Sequence, residues 1–171
     1  MTETLITNQL SSSWTLYYHA TDNKSWDLSS YVRIMTVTTL TEAVALIESI
    51  PDILVSNGML FLMKDTINPM WEDSRNVAGG GFSYKIPNKH AAAAYRGMIY
   101  AAIGGCLSSH DTYSHHITGI TSSQKRGFAI MKIWMADCAH QDASCIDMLS
   151  HIKSLTQNGT TFIKHGEREK K

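Results

Sequence analysis

Two strand-like runs, Ile117–Gln124 and Phe128–Met135, flank a three-residue turn, Lys125–Arg126–Gly127. Runs that close in sequence pair antiparallel, because a parallel return needs a crossover of about a dozen residues or more. The fold must therefore contain an antiparallel sheet, and other elements must cover one of its faces. Trp14–His19 and Tyr31–Thr38 are aromatic or β-branched and read as strands. Gly58–Met63 reads as a short apolar strand, Phe82–Ile86 as an alternating one, and Thr160–His165 as an edge strand after the Asn158–Gly159 turn. Helices are predicted over three segments. Leu40–Ile50 is capped by Thr39 or Thr41 and stopped by Pro51. Lys89–Ile103 has Asn88 as its cap and Gly104–Gly105 as its end. In Asp142–Leu155, the residues Ile146, Leu149, Ile152 and Leu155 keep helical spacing. The fold class is α+β: a mainly antiparallel sheet with about three helices on one face.

A chain of 171 residues makes one domain. Residues 1–13 are polar and read as a flexible arm, 14–165 as the domain, and 166–171 as a polar tail. Fifteen Lys+Arg balance fifteen Asp+Glu, so the formal net charge is zero. That excludes a protein that coats nucleic acid by bulk electrostatics and leaves only a small local contact. Charged residues are 18% of the chain, too few for charge-driven disorder. Three cysteines, Cys106, Cys138 and Cys145, with no Cys-x-x-Cys, argue against a disulfide framework and for a reducing compartment. The N-terminus has no basic-then-apolar signal, and the apolar run Gly97–Leu107 falls short of the ~20 residues of a membrane span. A cytoplasmic location is expected, in which the sequons at Asn23 and Asn158 carry no meaning.

Tryptophans point to the chemistry. Trp14 and Trp134 lie in alternating strands and read as core. Trp26 and Trp71 lie in polar loops, and Glu72 follows the second. Either loop tryptophan alone reads as structural; two of them beside a carboxylate change the balance. Two indoles held face to face can sandwich a flat ring, and a positive charge on that ring adds a cation–π term. A carboxylate can accept two parallel hydrogen bonds from a guanine edge.

The stretch Lys64–Gly80 resembles the cap-binding loop of the translation initiation factor 4E family, which binds the 7-methylguanosine cap of messenger RNA. The family pattern Lys-Asp-Gly-Ile-x-Pro-Met-Trp-Glu-Asp, then Asn-x-x-Gly-Gly, is met by Lys64, Asp65, Ile67, Pro69, Met70, Trp71, Glu72, Asp73, Asn76, Gly79 and Gly80. Trp14-x-Leu16-Tyr17-Tyr18 is similar to the first family strand, and Gly119 to Trp134 keeps the spacing of its late hairpin. The resemblance spans roughly Leu10 to His165 and implies a curved sheet with helices on its convex face and the cap on its concave face. It implies that Trp26 and Trp71 stack on the methylated base. Glu72 would pair with its edge, the Trp71 backbone would meet O6, and Trp134 would lie near the methyl group. No cofactor and no catalysis are implied.

The departures are specific. Gly81 and Ile130 stand where the family has cations, so Lys125, Arg126 and Lys132 are expected to hold the triphosphate, with Arg75 as a possible substitute. Period-2 alternation puts Lys132 and Trp134 on one face. On the convex partner surface Val44 replaces the central tryptophan, in a helix that begins at Leu40. Asn8-Gln9-Leu10 replaces His-Pro-Leu, and Arg96 and Tyr100 replace two leucines. The expected partners are capped mRNA and an initiation factor 4G-like scaffold or 4E-binding repressor peptide, with the usual scaffold contact altered. A cap-binding repressor, or a specialised lineage-specific or viral isoform, is the alternative.

Two other classes fit the sequence less well. Cys138-Ala-His140, Cys145 and His151, with His110–Asp111 near His115–His116, do not have the spacing of a Cys/His zinc module, so no metal site is read. A cap hydrolase would need paired metal-binding carboxylates or a nucleophile with a base. Glu72 and Asp73 are adjacent and point apart, and the run Ser108–Asp111 is no evidence for a triad.

Overall fold

The computed structural model describes residues 8–152, 155 and 160–167. In chain order the elements are β1 (Gln9–Ala20), β2 (Val32–Thr39), α1 (Leu40–Ser49), α2 (Asp52–Asn57), β3 (Gly58–Lys64), β4 (Gly80–Pro87), α3 (Asn88–Ile103), α4 (Asp111–His116), β5 (Ile117–Gln124), β6 (Phe128–Met135) and β7 (Thr161–Lys164). The strands form one curved seven-stranded sheet, order β2-β1-β3-β5-β6-β4-β7, with every pairing antiparallel. The β5–β6 hairpin pairs as its sequence requires. Gly127, at φ +87°, supplies the left-handed turn residue.

The core lies between the sheet and α1–α3. Leu16, Leu60, Leu62, Ile120, Met131 and Ile133 point from the strands onto Tyr95, Met98 and Ile99 of α3. A second cluster, Phe61, Met63, Ile67 and Trp134, sits on the other face. This explains why β3 reads as an unbroken apolar run: its odd and even positions are both buried, one set under helices and the other under an aromatic layer.

Local chemistry sets the helix ends. Thr39 caps α1 in a reciprocal box: its hydroxyl accepts from Glu42 N, and the Glu42 carboxylate accepts from Thr39 N. Asn88 does not cap α3. It is the first helical residue behind Pro87, and its side-chain oxygen accepts from Gln124.

Two further expectations are corrected. Strand β1 begins at Gln9, so Gln9–Ser13 are strand rather than arm; residues 1–7 lie outside the described residues, as do 168–171 of the tail. Segment Asp142–Leu155 is not a helix: two 3-10 turns, Ala143–Cys145 and Met148–His151, replace it, and residues 153–154 lie outside the described set. The Asp142 carboxylate accepts from Ser144 N, and Asp147 accepts from Ser109 N across to the neighbouring loop. Such side-chain bonds compete with the helical ladder. The apolar spacing still marked burial, since Ile146, Leu149 and Leu155 are in the core. Two short helices, α2 and α4, were not predicted.

No helix among the described residues is long and apolar enough to cross a membrane. All three cysteines are free thiols.

Candidate functional site

The helix-free face of the sheet carries a cavity of about 430 Å³. Its floor follows from register. Met59 pairs with Ser123 and Phe61 with Thr121 across β3–β5; Thr121 pairs with Lys132 and Ser123 with Ile130 across β5–β6. Paired residues share a face, so all six line the cavity, joined by Trp134 two residues beyond Lys132. Lys132 and Trp134 thus share a face, as the alternation predicts. Trp26 and Trp71 reach the cavity from the two loops and Lys125 from the β5–β6 turn. Trp26 and Trp71 remain 49% and 44% exposed, whereas Trp134 is buried.

The Trp71 loop is braced from within. It starts at Asp65, which adopts φ 51° and donates its N–H to Ser13. Asp73 is the central staple: its carboxylate accepts from Asn68 N, Arg75 N and the Arg75 guanidinium. Burial alone would raise its pKa, but these donors outweigh it and hold the carboxyl below the usual range. Arg75 also donates to the Thr66 hydroxyl and carbonyl. Arg75 is therefore committed to the loop rather than offered to a ligand. Asn76, fully buried, donates to Asn68 O and Met70 O. The loop closes onto β6 at Gly79, where a Cβ would stand 1.8 Å from Met135 O, so only glycine fits.

Trp26 rests on His19. The two rings stack at 4.3 Å and 1°, and His19 Nε2 lies 2.8 Å from Ser25 O, just before the tryptophan. One indole face is thus covered from behind. Tyr31 packs on His19 at 4.9 Å and edge-on to Phe61 at 5.2 Å. Phe61 continues edge-on to Trp134 at 6.3 Å, and Trp134 meets His165 at 4.6 Å. A row of rings underlies the cavity from end to end. Burial first, and the Glu72 carboxylate second, push the Tyr31 hydroxyl up to about 12.

A second recess of about 350 Å³ opens on the far side of Trp71. Gly81, Lys132 and Trp134 form its base and Ile163–Glu167 its rim. His165 is held neutral there: burial, then Lys132, lower its pKa from 6.5 to about 4. An unfolded chain takes up this proton near pH 6.5 and the fold does not. Stability is therefore unaffected above pH 6.5 and declines as pH falls from 6.5 to about 4. Melting temperatures across that range should fall less steeply for His165→Phe than for the parent chain; equal slopes would refute the assignment.

Of the residues expected at the site, Trp26, Trp71, Trp134, Lys125 and Lys132 line one cavity. Glu72 is outside that lining but close enough to act on Tyr31. Arg126 is on the exposed turn tip, also outside it. Sequence reasoning missed His19, Tyr31, Phe61 and His165. Only Phe61 had a signal, its period-2 phase with Met59 and Met63. The Ser108–Asp111 run serves the structure: Ser108 donates to Cys145 O and Ser109 binds Asp147.

On the helical face, Leu40 and Val44 of α1 are exposed and Leu10 is half-buried against the core. Arg96 binds Asp52 and Ile50 O, and Tyr100 donates to Glu48 at 2.7 Å, tying α3 to α2 and α1. Two of the five residues expected on a partner surface are thus engaged within the chain.

A one-domain α+β protein, with an aromatic cleft on the open face of a curved antiparallel sheet, is the class these features define. The sequence model for eukaryotic initiation factor 4E matches residues 9–171, and the chain belongs to that family. It is 28% identical over 148 residues to human eukaryotic translation initiation factor 4E, covering 82% of this chain and 66% of that protein. It is 25% identical over 141 residues to factor 4E-2 of Schizosaccharomyces pombe, covering 80% of this chain but only 57% of that relative's length. Among solved structures it is similar to Ascaris suum eIF4E-3 with m7G cap, at TM-score 0.78, 21% identity and coverage of 95% and 94% of the two chains. It is also similar to Caenorhabditis elegans eIF4E-3 with the 4E-binding protein Mextli and cap analogue, at TM-score 0.76, 20% identity and 92% coverage of each. At that identity the likeness is one of fold.

Proposed function

We propose that the chain binds the 7-methylguanosine cap of messenger RNA and acts in translation, as a binding protein without catalysis. The observation that carries this reading is the convergence of Trp26, Trp71, Trp134, Lys125 and Lys132 on one cavity of about 430 Å³. The methylated base stacks between Trp26 and Trp71, with His19 backing the first indole. Glu72 accepts from the guanine edge. Lys125 and Lys132 take the phosphates, with Arg126 at their outer end. The family likeness supports the reading, and the Ascaris protein of the same fold was solved with this ligand.

A partner of the scaffold or 4E-binding repressor type docks on α1 and α3; the Caenorhabditis protein of the same fold was solved with a 4E-binding protein, Mextli. Because Val44 stands on α1, and Arg96 and Tyr100 are bonded to Asp52 and Glu48, that contact differs from the usual apolar groove. This favours a specialised or repressive member as the second reading. Pull-down on an immobilised peptide with the usual Tyr-x-x-x-x-Leu motif separates the two; no retention excludes conventional recruitment.

The primary test is tryptophan fluorescence titration with 7-methyl-GTP, with GTP as control. Saturable quenching by the methylated ligand, with GTP binding far weaker, is the expected result. Equal or absent response to both would overturn the proposal.

A further inference from the structure

Away from the cleft, His116, Asp137 and His140 bring their ligating atoms within 4.8 Å of one another. The hairpin register causes this. Ile117 pairs with Met135, so His116 O accepts from Ala136 N at 2.7 Å, and the next turn brings in Asp137 and His140. The sequence separates His116 from Asp137 by the whole hairpin, which is why a search for ligand spacing passes over it.

His116 Nδ1 is 2.5 Å from Thr112 O. A carbonyl only accepts, so Nδ1 carries the proton and Nε2 of the neutral ring is a lone pair. That lone pair faces Asp137 Oδ2 at 3.1 Å. Asp137 Oδ1 lies 3.3 Å from His140 Nδ1, and the two imidazoles lie 4.5 Å apart at 34°. Two acceptors face each other there, an arrangement that a cation between them satisfies. One divalent ion satisfies all three side chains.

The geometry points to a binding site for a divalent first-row transition ion, zinc above all, held by His116, Asp137 and His140. Zinc bonds of about 2.0–2.2 Å place tetrahedral neighbours roughly 3.3–3.6 Å apart, near the two histidine–carboxylate separations of 3.1 and 3.3 Å. A ring whose second nitrogen donates to a backbone carbonyl is the usual arrangement of a metal-bound histidine. Imidazole and carboxylate donors select zinc, cobalt, nickel or copper over calcium or magnesium. The three side chains are 36%, 35% and 21% exposed, which leaves the remaining position to water. The ion would fasten the segment after β6 to the end of α4.

The test uses tag-free, full-length protein dialysed free of metal and titrated with cobalt(II), then zinc(II). The expected result is one equivalent of cobalt with visible d–d absorption and no thiolate charge-transfer band, displaced by zinc, and a melting temperature that rises with zinc. His116→Gln and His140→Ala should each lose the equivalent, and Cys138→Ser should keep it. Asp137→Asn, which retains the acceptor for Ala139 N, serves if a histidine variant does not fold. No stoichiometric uptake would mean a hydrogen-bonded His–Asp–His cluster only and would overturn the proposal. So would a thiolate band, or binding that survives in both histidine variants. The cap titration is independent, so failure of either proposal leaves the other readable.

Discussion

Trp71→Ala is expected to weaken 7-methyl-GTP binding by roughly five- to a hundredfold, since one stacked aromatic contributes about 1–3 kcal/mol per base. The substitution removes one wall of the cleft at a ring that is nearly half exposed. The loop's own braces, Asp73, Arg75 and Asn76, are untouched, so the fold should be kept. Trp26→Ala should lose affinity too, and also uncovers the buried His19 imidazole that the indole now covers. Wild-type affinity in Trp71→Ala, measured by calorimetry so that the lost fluorophore does not matter, would sink the sandwich. Trp71→Phe should fall between, because a smaller ring stacks less.

The second large effect concerns stability. Phe82 is fully buried on β4, its ring edge-on to Phe162 of β7 at 5.1 Å. Phe82→Ala should cost about 3–5 kcal/mol, the sum of lost transfer energy and an unfilled cavity. For a domain of this size that lowers Tm by roughly 6–20 °C. Calorimetry of the variant beside Phe162→Ala gives the coupling between the rings. A Phe82→Ala loss under about 1 kcal/mol would mean that the site collapses to fill the space.

The sheet was legible because its signals are local. The β5–β6 hairpin needed only period-2 runs and a short turn, and β3 and β4 stood out between turn residues. What failed was also local in origin. Strand β1 begins in Gln9–Ser13, whose polar residues carry little strand propensity and are recruited by Gln9 pairing with Thr39 of β2 and by the Asp65 N–H donated to Ser13. Helices α2 and α4 are six residues each, too short to show a period. Asp142–Leu155 had helical spacing, but Asp142 and Asp147 spent their carboxylates on turn and loop donors. Motif likeness pointed to the tryptophans and Lys125, and period-2 alternation to Lys132, all of which line one cavity. It did not find His19 or Tyr31, whose contacts arise only once the sheet has curved, nor the engagement of Arg75 by Asp73, which loop closure creates.

Strand β7 has only four residues, yet among the described residues it alone covers the outer edge of β4 along Gly80–Ser83. Beneath it lies an apolar strand whose unpaired N–H and C=O groups would template pairing with another chain. His165 anchors the end of β7 through its N–H to Gly79 O, and its ring is the group that resists protonation. Acidification therefore does more than lower a melting temperature. Protonating that buried ring works against the anchor beside it, so the edge of β4 is expected to be the part of the sheet that acid exposes first, read as acid-dependent light scattering below pH 6.5.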